Sequence, residues 1–169
     1  MTENSPNNPT NGSAHNEQVR LVSFNVGKEQ FAVDILRVQE INRMMSLTQV
    51  PQSPPGVCGV INLRGRIVPV LDLRTLMGLD IPEQSDDSRI IVAEIQGATV
   101  GFIVDAVHEV IQIDPNIIES TPAIMSCADA SYILGVARMN ETLLILLNID
   151  RLLSAESLES IGALRAHAA

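Results

Sequence analysis

The chain has 169 residues, 46% of them hydrophobic, and a formal net charge of −9. This length fits one domain, or two small lobes that share a core, without a stabilising disulfide or metal. The negative charge argues against a nucleic-acid partner, because Lys and Arg contacts to phosphate supply most non-specific affinity. Three Phe, one Tyr and no Trp leave few side chains for base stacking.

The first 17 residues, MTENSPNNPTNGSAHNE, contain almost nothing that a core could bury. They predict a disordered N-terminal tail, and they lack the charged and apolar regions of a signal peptide. No apolar run in the chain approaches the ~18 residues that a transmembrane helix requires. We therefore expect a soluble, cytoplasmic protein with no direct membrane insertion.

Order is predicted to begin with a hairpin formed by VRLVSFNV (19–26) and EQFAVD (29–34). The following segment, 35–44, fits either a helical turn or a strand in which Val38, Glu40 and Asn42 share a face. Three prolines make 51–56 a loop.

The stretch GVINLRGRIVPVLDLR (59–74) predicts two strands, Val57–Leu63 and Ile67–Leu71, joined by the three-residue connection Arg-Gly-Arg. Both strands are apolar on both faces, which is typical of strands buried between two lobes. Pro69 lacks an N–H group, so its strand is predicted to be an edge or to carry a bulge. Asp72 is predicted to cap a short helix.

The polar loop 81–88 is the predicted boundary between the lobes. After it the pattern favours a hairpin (89–95 and 98–104), a strand (107–113) and a third hairpin (132–139 and 142–147). Beyond Asn148 the spacing predicts a short helix and then a C-terminal amphipathic helix that contains Leu158, Ile161 and Leu164. Eight or nine short strands favour a barrel or a pair of barrels.

Chemistry-bearing residues form no recognisable catalytic or metal-binding motif. His108 alternates with apolar neighbours and is predicted to lie partly exposed on the surface, and Cys58 and Cys127 are predicted to be reduced, buried thiols. Aspartates at the ends of apolar runs usually cap turns and helices. We predict no catalytic residue, cofactor or metal; the alternative is a small β-barrel enzyme or ligand-binding protein that uses Asp72 or Asp105.

Arg64 and Arg66 are unexpected in so acidic a chain. One interpretation is that both are solvated turn charges. The other is that a rigidly held arginine is presented to an acidic or carbonyl-bearing partner, with Glu40 as the complementary anion on the same surface. Surfaces, and not a catalytic centre, would then perform the function.

Several motifs in order resemble the CheW family of chemotaxis coupling proteins: NLRGRIVPVLDL (62–73), FAVDILRVQEI (31–41), VGFIVDAVHEV (100–110), YILGVA (132–137) and LLILLNIDRLL (143–153). The resemblance implies a mainly β fold of two intertwined, SH3-like, five-stranded barrels with a core between them. It divides the chain into a tail (1–17), a CheW-like domain (18–153) and a C-terminal helix (154–169).

The resemblance also implies a function, that of a non-enzymatic adaptor between chemoreceptor tips and the CheA histidine kinase. It places Val38, Glu40, Gly59, Arg64 and Val107 at the receptor-binding surface, and Ile35 and Ile124 at contacts with the regulatory domain of the kinase. Arg66 departs from the family pattern and is predicted to be a solvated charge. A chemotaxis-like pathway for pili or surface sensing is the alternative that the sequence leaves open.

Overall fold

The structure is a computed structural model that describes residues 18–53, 56–77, 85–120 and 132–152. The predicted tail (1–17), the predicted C-terminal helix (154–169), Ile124 and Cys127 lie outside these residues. Within them the chain forms eleven strands and one short helix: β1 (Val19–Val26), β2 (Glu29–Asp34), β3 (Val38–Arg43), β4 (Val57–Leu63), β5 (Arg66–Asp72), α1 (Leu73–Leu76), β6 (Arg89–Ile95), β7 (Ala98–Val104), β8 (Ala106–Ile113), β9 (Ile118–Glu119), β10 (Ile133–Met139) and β11 (Thr142–Leu147). Short 3₁₀ turns span Ile35–Arg37, Pro115–Ile117 and Ile149–Arg151.

The strands form two sheets whose sequence segments are interleaved. Sheet A has six strands in the order β8-β1-β2-β11-β10-β9, and sheet B has five in the order β3-β6-β7-β5-β4. Sheet B is therefore one continuous segment inserted between β2 and β8 of sheet A. The predicted mainly β fold with two intertwined lobes is confirmed.

The chain passes from one sheet to the other at two places, the 3₁₀ turn Ile35–Arg37 and Asp105. The prediction that the loop 81–88 separates the lobes is wrong, because the strands on either side of it, β5 and β6, both belong to sheet B. Of this loop the structure describes residues 85–88, of which 85–87 are exposed and Ser88 is buried.

Apolar side chains form three cores. The central core lies between the sheets and includes Phe24 and Phe31 of sheet A with Ile91 and Phe102 of sheet B. A second core lies on the other face of sheet A, and a third, with Val68 and Val70, lies on the other face of sheet B. Strand β5 contributes Leu71 to the central core as well, so it is buried on both faces, as its sequence predicted.

The prediction that the strand of Pro69 is an edge or carries a bulge there is wrong, because β5 lies between β4 and β7 and Pro69 pairs in register with Val60. Pro69 faces Val60, whose N–H and C=O bond to Thr48 on the far side of β4. Pairing of β5 with β7 begins only at Val70, so no ladder bond requires an N–H from Pro69.

Two of the described strands, β3 and β9, were not predicted, because they are short or lack a clear hydrophobic pattern. The ambiguous segment 35–44 contains both a 3₁₀ turn and a strand, β3, and β9 has only two residues. A register shift between Val38 and Glu40 marks a β-bulge in β3.

Candidate functional site

The β4–β5 turn presents Arg64 on the surface of sheet B. Leu63 pairs with Arg66, so the connection is a two-residue turn of Arg64 and Gly65, and the predicted three-residue connection is wrong. Both turn residues have positive φ, 55° for Arg64 and 84° for Gly65, which matches the right-handed twist of the flanking strands. The Gly65 N–H donates to Asn62 Oδ1 at 2.9 Å, which fixes the turn further.

Arginine is energetically unfavourable at position 64. A side chain in the left-handed region raises the energy of the turn by roughly 1 kcal/mol relative to glycine, and Asn is the common choice at the first position of such turns. The Arg64 side chain is 80% exposed. The turn therefore holds a solvent-facing guanidinium in a fixed place at some cost to stability.

Glu40 on β3 is the partner of Arg64. Arg64 Nη1 lies 3.3 Å from Glu40 Oε2, and Asn42 Nδ2 donates to Glu40 Oε1 at 2.7 Å. β3 and β4 are opposite edges of sheet B, so the ion pair joins the turn that follows β4 to the other edge strand of the sheet. The structure thus places Glu40 and Arg64 on one surface.

Arg66 is exposed, which agrees with the prediction of a solvated charge. Its Nη2 also donates to the Thr99 hydroxyl on β7 at 2.9 Å. The two arginines of the motif differ in their partners: Arg66 bonds to a neutral hydroxyl, whereas Arg64 pairs with the carboxylate of Glu40.

The other residues expected at the receptor surface do not join this pair directly. The bulge places Val38 against the central core, while Glu40 pairs with Val92 of the sheet B core, so the predicted shared face of Val38 and Glu40 is wrong. Val107 lies in sheet A, half-buried against the central core.

Gly59 is buried beneath the segment that contains Leu47 and Thr48. Its φ is +154°, and a Cβ at this position would lie 2.6 Å from the Thr48 carbonyl oxygen. A side chain at Gly59 would push this segment away from β4. Gly59 therefore helps to set the shape of the sheet B edge.

The 3₁₀ turn Ile35–Arg37 presents one apolar side chain to solvent. Ile35 packs against the central core, whereas Leu36 is 88% exposed, the largest value among the exposed large apolar residues that the structure describes. Successive side chains point about 120° apart in a 3₁₀ turn, so the two neighbours cannot share an environment. The sequence placed the apolar contact at Ile35, and the structure exposes Leu36.

The Leu36 turn is firmly held. The Leu36 N–H donates to Asp34 Oδ1 at 2.9 Å, and Arg37 forms an ion pair with Asp150, in the 3₁₀ turn that follows β11. An exposed leucine on an anchored turn loses little entropy when a partner covers it. Asp34, which precedes Ile-Leu-Arg, is the sequence feature that could have predicted this turn, because aspartate caps short helical turns.

A buried charge cluster joins the sheets away from both surfaces. Arg74 is 1% exposed; its Nε and Nη2 donate to Asp72 at 3.0 and 2.8 Å, and Nη1 donates to Asp105 at 3.1 Å. The hydrogen bond to Asp72 raises the pKa of Arg74 further above its ordinary value. Asp72 also caps α1 by accepting from the Arg74 N–H, as predicted.

Cys58 lies near this cluster, and burial, followed by the charge of Asp72, raises the pKa of its thiol. Because the thiolate is the reactive form, we expect iodoacetamide to alkylate Cys58 at pH 8 several-fold more slowly in the folded protein than in urea. Peptide-resolved mass spectrometry measures this rate separately from that of Cys127. Equal rates in the two states would contradict the expectation.

An enzyme centred on Asp72 or Asp105 gains no support from the geometry. Both carboxylates bond to Arg74, and the cavity of about 530 Å³ in sheet A is lined by other residues, among them Ser23, Gln30 and His108. His108 itself is exposed. Within the described ranges, no three His, Cys, Asp or Glu residues cluster as metal ligands, and no helix is long and apolar enough to cross a membrane.

Comparison with known proteins shows which family the sequence resembles. The model of the CheW-like domain family matches residues 20–157. The chain is 33% identical to the chemotaxis protein CheW of Rhizobium meliloti (strain 1021), covering 89% of this chain and 99% of the relative. It is 34% identical to the CheW of Bacillus subtilis (strain 168), covering 83% and 90%.

A solved structure is similar over the same region. The scaffolding protein TtCheW from Thermoanaerobacter tengcongensis superposes with a TM-score of 0.76 at 38% sequence identity, covering 83% of this chain and 95% of that chain. The similarity therefore extends from sequence motifs to the three-dimensional fold.

Proposed function

Because the chain belongs to the CheW family, a family of chemotaxis scaffold proteins, we propose that it couples chemoreceptor tips to a CheA-type histidine kinase without catalysing a reaction. Its place of action would be the cytoplasm, at membrane-associated receptor arrays. The observation that supports this proposal best is that the protein presents two surfaces of different chemistry: the charged Arg64–Glu40 pair and the apolar Leu36 turn.

The Arg64–Glu40 pair is the proposed receptor contact. Receptor tips are helical hairpins, and helices offer carboxylates and terminal carbonyl oxygens as acceptors. The Arg64 guanidinium has five N–H donors, and the exposed ion pair with Glu40 orients it without enclosing it. Val38, Gly59 and Val107 would shape the neighbouring surface.

The Leu36 turn is the proposed kinase contact, with Ile35 supporting it from below. An exposed apolar side chain on a fixed turn can insert into a pocket on a folded domain, as the side chains at interface hot spots do. Ile124, outside the described residues, is proposed to contribute a second apolar contact with the same kinase domain.

Charge reversal at Arg64 tests the receptor contact. We expect Arg64→Glu to weaken binding to receptor tips several-fold or more, because it places a second carboxylate beside Glu40 and repels acceptors on the receptor. Folding should change little, since an exposed pair contributes at most about 1 kcal/mol. Titration against receptor fragments measures affinity, and kinase activation in reconstituted arrays measures coupling.

Arg66→Glu is the control with the same change of net charge, two residues away. It sacrifices the bond to Thr99 but leaves Arg64 in place. Equal losses from the two reversals would indicate general electrostatics, and full receptor binding by folded Arg64→Glu would remove Arg64 from the proposed surface.

Arg64→Asn separates binding from stability. Asn tolerates positive φ better than Arg, so we expect this variant to unfold at the same or a higher urea concentration while still binding receptor more weakly. A lower midpoint would show that the Arg64–Glu40 pair outweighs the strain of the turn.

A chemotaxis-like pathway for pili or surface sensing would use the same two surfaces. The identity of the genes that neighbour this one distinguishes the two pathways.

A further inference from the structure

The Leu36 turn lies at the junction of the two sheets. It leads directly into β3 of sheet B, the strand that carries Glu40, and Arg37 ties it to Asp150, in the segment that follows β11 of sheet A. The orientation of one sheet relative to the other therefore affects how this turn is held beside the Arg64–Glu40 pair.

Apolar packing supplies most of the attraction between the sheets. The central core is buried between them, and close packing of its side chains limits how far the sheets can rotate. Each sheet also has a core of its own on its other face. Polar groups that join the two sheets would add a directional link to this packing.

Asp105 provides such a link where the chain passes from β7 to β8. Its N–H donates to the Asn25 carbonyl oxygen at 2.9 Å, and its Oδ2 accepts from the Gly27 N–H at 2.6 Å, so it is fixed to the β1–β2 hairpin of sheet A. Its Oδ1 accepts from Arg74 at 3.1 Å.

Arg74 fixes the other end of the link to sheet B. Its Nε and Nη2 donate to Asp72, the last residue of β5, and its Nη1 is directed at Asp105. The arginine side chain is 1% exposed and that of Asp105 is 22% exposed, so water and salt screen the contact less than they screen a surface pair. One guanidinium thus connects the end of β5 to the β1–β2 hairpin through two carboxylates.

We propose that the Arg74–Asp105 ion pair is a latch that fixes the orientation of sheet B relative to sheet A. Arg74 and Asp105 are then positioning residues: they contact neither partner, yet they set the geometry between the two partner surfaces. The statement about sheet orientation stands on the contacts above, and the statement about partners rests on the proposed function.

The test uses Asp105→Asn, which keeps an acceptor for Gly27 but removes the charge that attracts Arg74. Asp114→Asn is the matched control, because Asp114 also accepts one backbone N–H, that of Asn116, and lies in an exposed turn away from the latch. Residual dipolar couplings measured on the full chain report the orientation of the two sheets separately.

We expect the alignment tensors of the sheets to coincide in the wild type and in Asp114→Asn but to differ in Asp105→Asn, while couplings within each sheet still fit the structure. Binding to receptor fragment alone and to kinase domain alone should stay at the wild-type value. Assembly of the three-component complex should fall at least several-fold.

Coincident tensors in Asp105→Asn would overturn the latch. Three-component assembly equal to that of Asp114→Asn would overturn its role in positioning the surfaces. The tensor comparison needs no partner, so it gives an answer even if the proposed function fails.

Discussion

Replacing Arg74 with Met is expected to destabilise the fold by about 3–5 kcal/mol, because it leaves two carboxylates facing each other without their shared cation. Asp72 is 3% exposed and cannot regain full hydration without a rearrangement of β5 and α1. A methionine fills much of the same volume, so the loss reflects charge and hydrogen bonds more than a cavity. Urea denaturation followed by far-UV circular dichroism measures it.

Two further variants separate charge from geometry. Arg74→Lys keeps the positive charge but lacks the planar fork that bonds to both aspartates, so we expect an intermediate loss. Arg64→Met removes an exposed arginine and should cost at most about 1 kcal/mol. A loss of that size from Arg74→Met would show that the buried cluster contributes little net stability.

Much of the fold could be predicted from the sequence, because alternating apolar residues and turn signals coincide in most hairpins. β1, β2 and the pair β6 and β7 have their predicted bounds, and Asp72 caps α1. Prediction failed where pairing depends on distant strands. Pro69 suggested an edge, but the register with Val60 and the late start of pairing with β7 allow it inside a sheet.

The candidate site was predictable only in part, for similar reasons. The spacing in NLRGR identified a turn with arginines, but it could not distinguish Arg64 from Arg66, since the difference depends on Glu40 and Thr99 from other strands. The alternation in VQEIN suggested that Val38 and Glu40 share a face, and a single bulge separates them. No local sequence feature, other than the preceding Asp-Leu, indicated that Arg74 would be buried at the centre of the latch.

The kinase contact should depend on Leu36. We expect Leu36→Asp to weaken binding of the kinase regulatory domain by about 2 kcal/mol, roughly 30-fold, because a carboxylate would replace an apolar side chain at the centre of the contact. The wild-type leucine is 88% exposed, so the free protein loses almost no packing and its denaturation midpoint should stay the same. Isothermal titration calorimetry without receptor measures the affinity for the kinase domain.

Ile35→Glu is the informative neighbour, because Ile35 packs against the central core and its replacement should lower stability as well as binding. Val110→Asp is the matched control: Val110 is 51% exposed on β8, and the change introduces the same charge away from the turn. Full kinase affinity in Leu36→Asp, or an equal loss in Val110→Asp, would falsify the assignment. We expect Leu36→Asp and Ile35→Glu to lose kinase affinity and Val110→Asp to keep it. Of the first two, only Ile35→Glu should also lower the free energy of unfolding, because Ile35 packs against the central core whereas Leu36 is exposed.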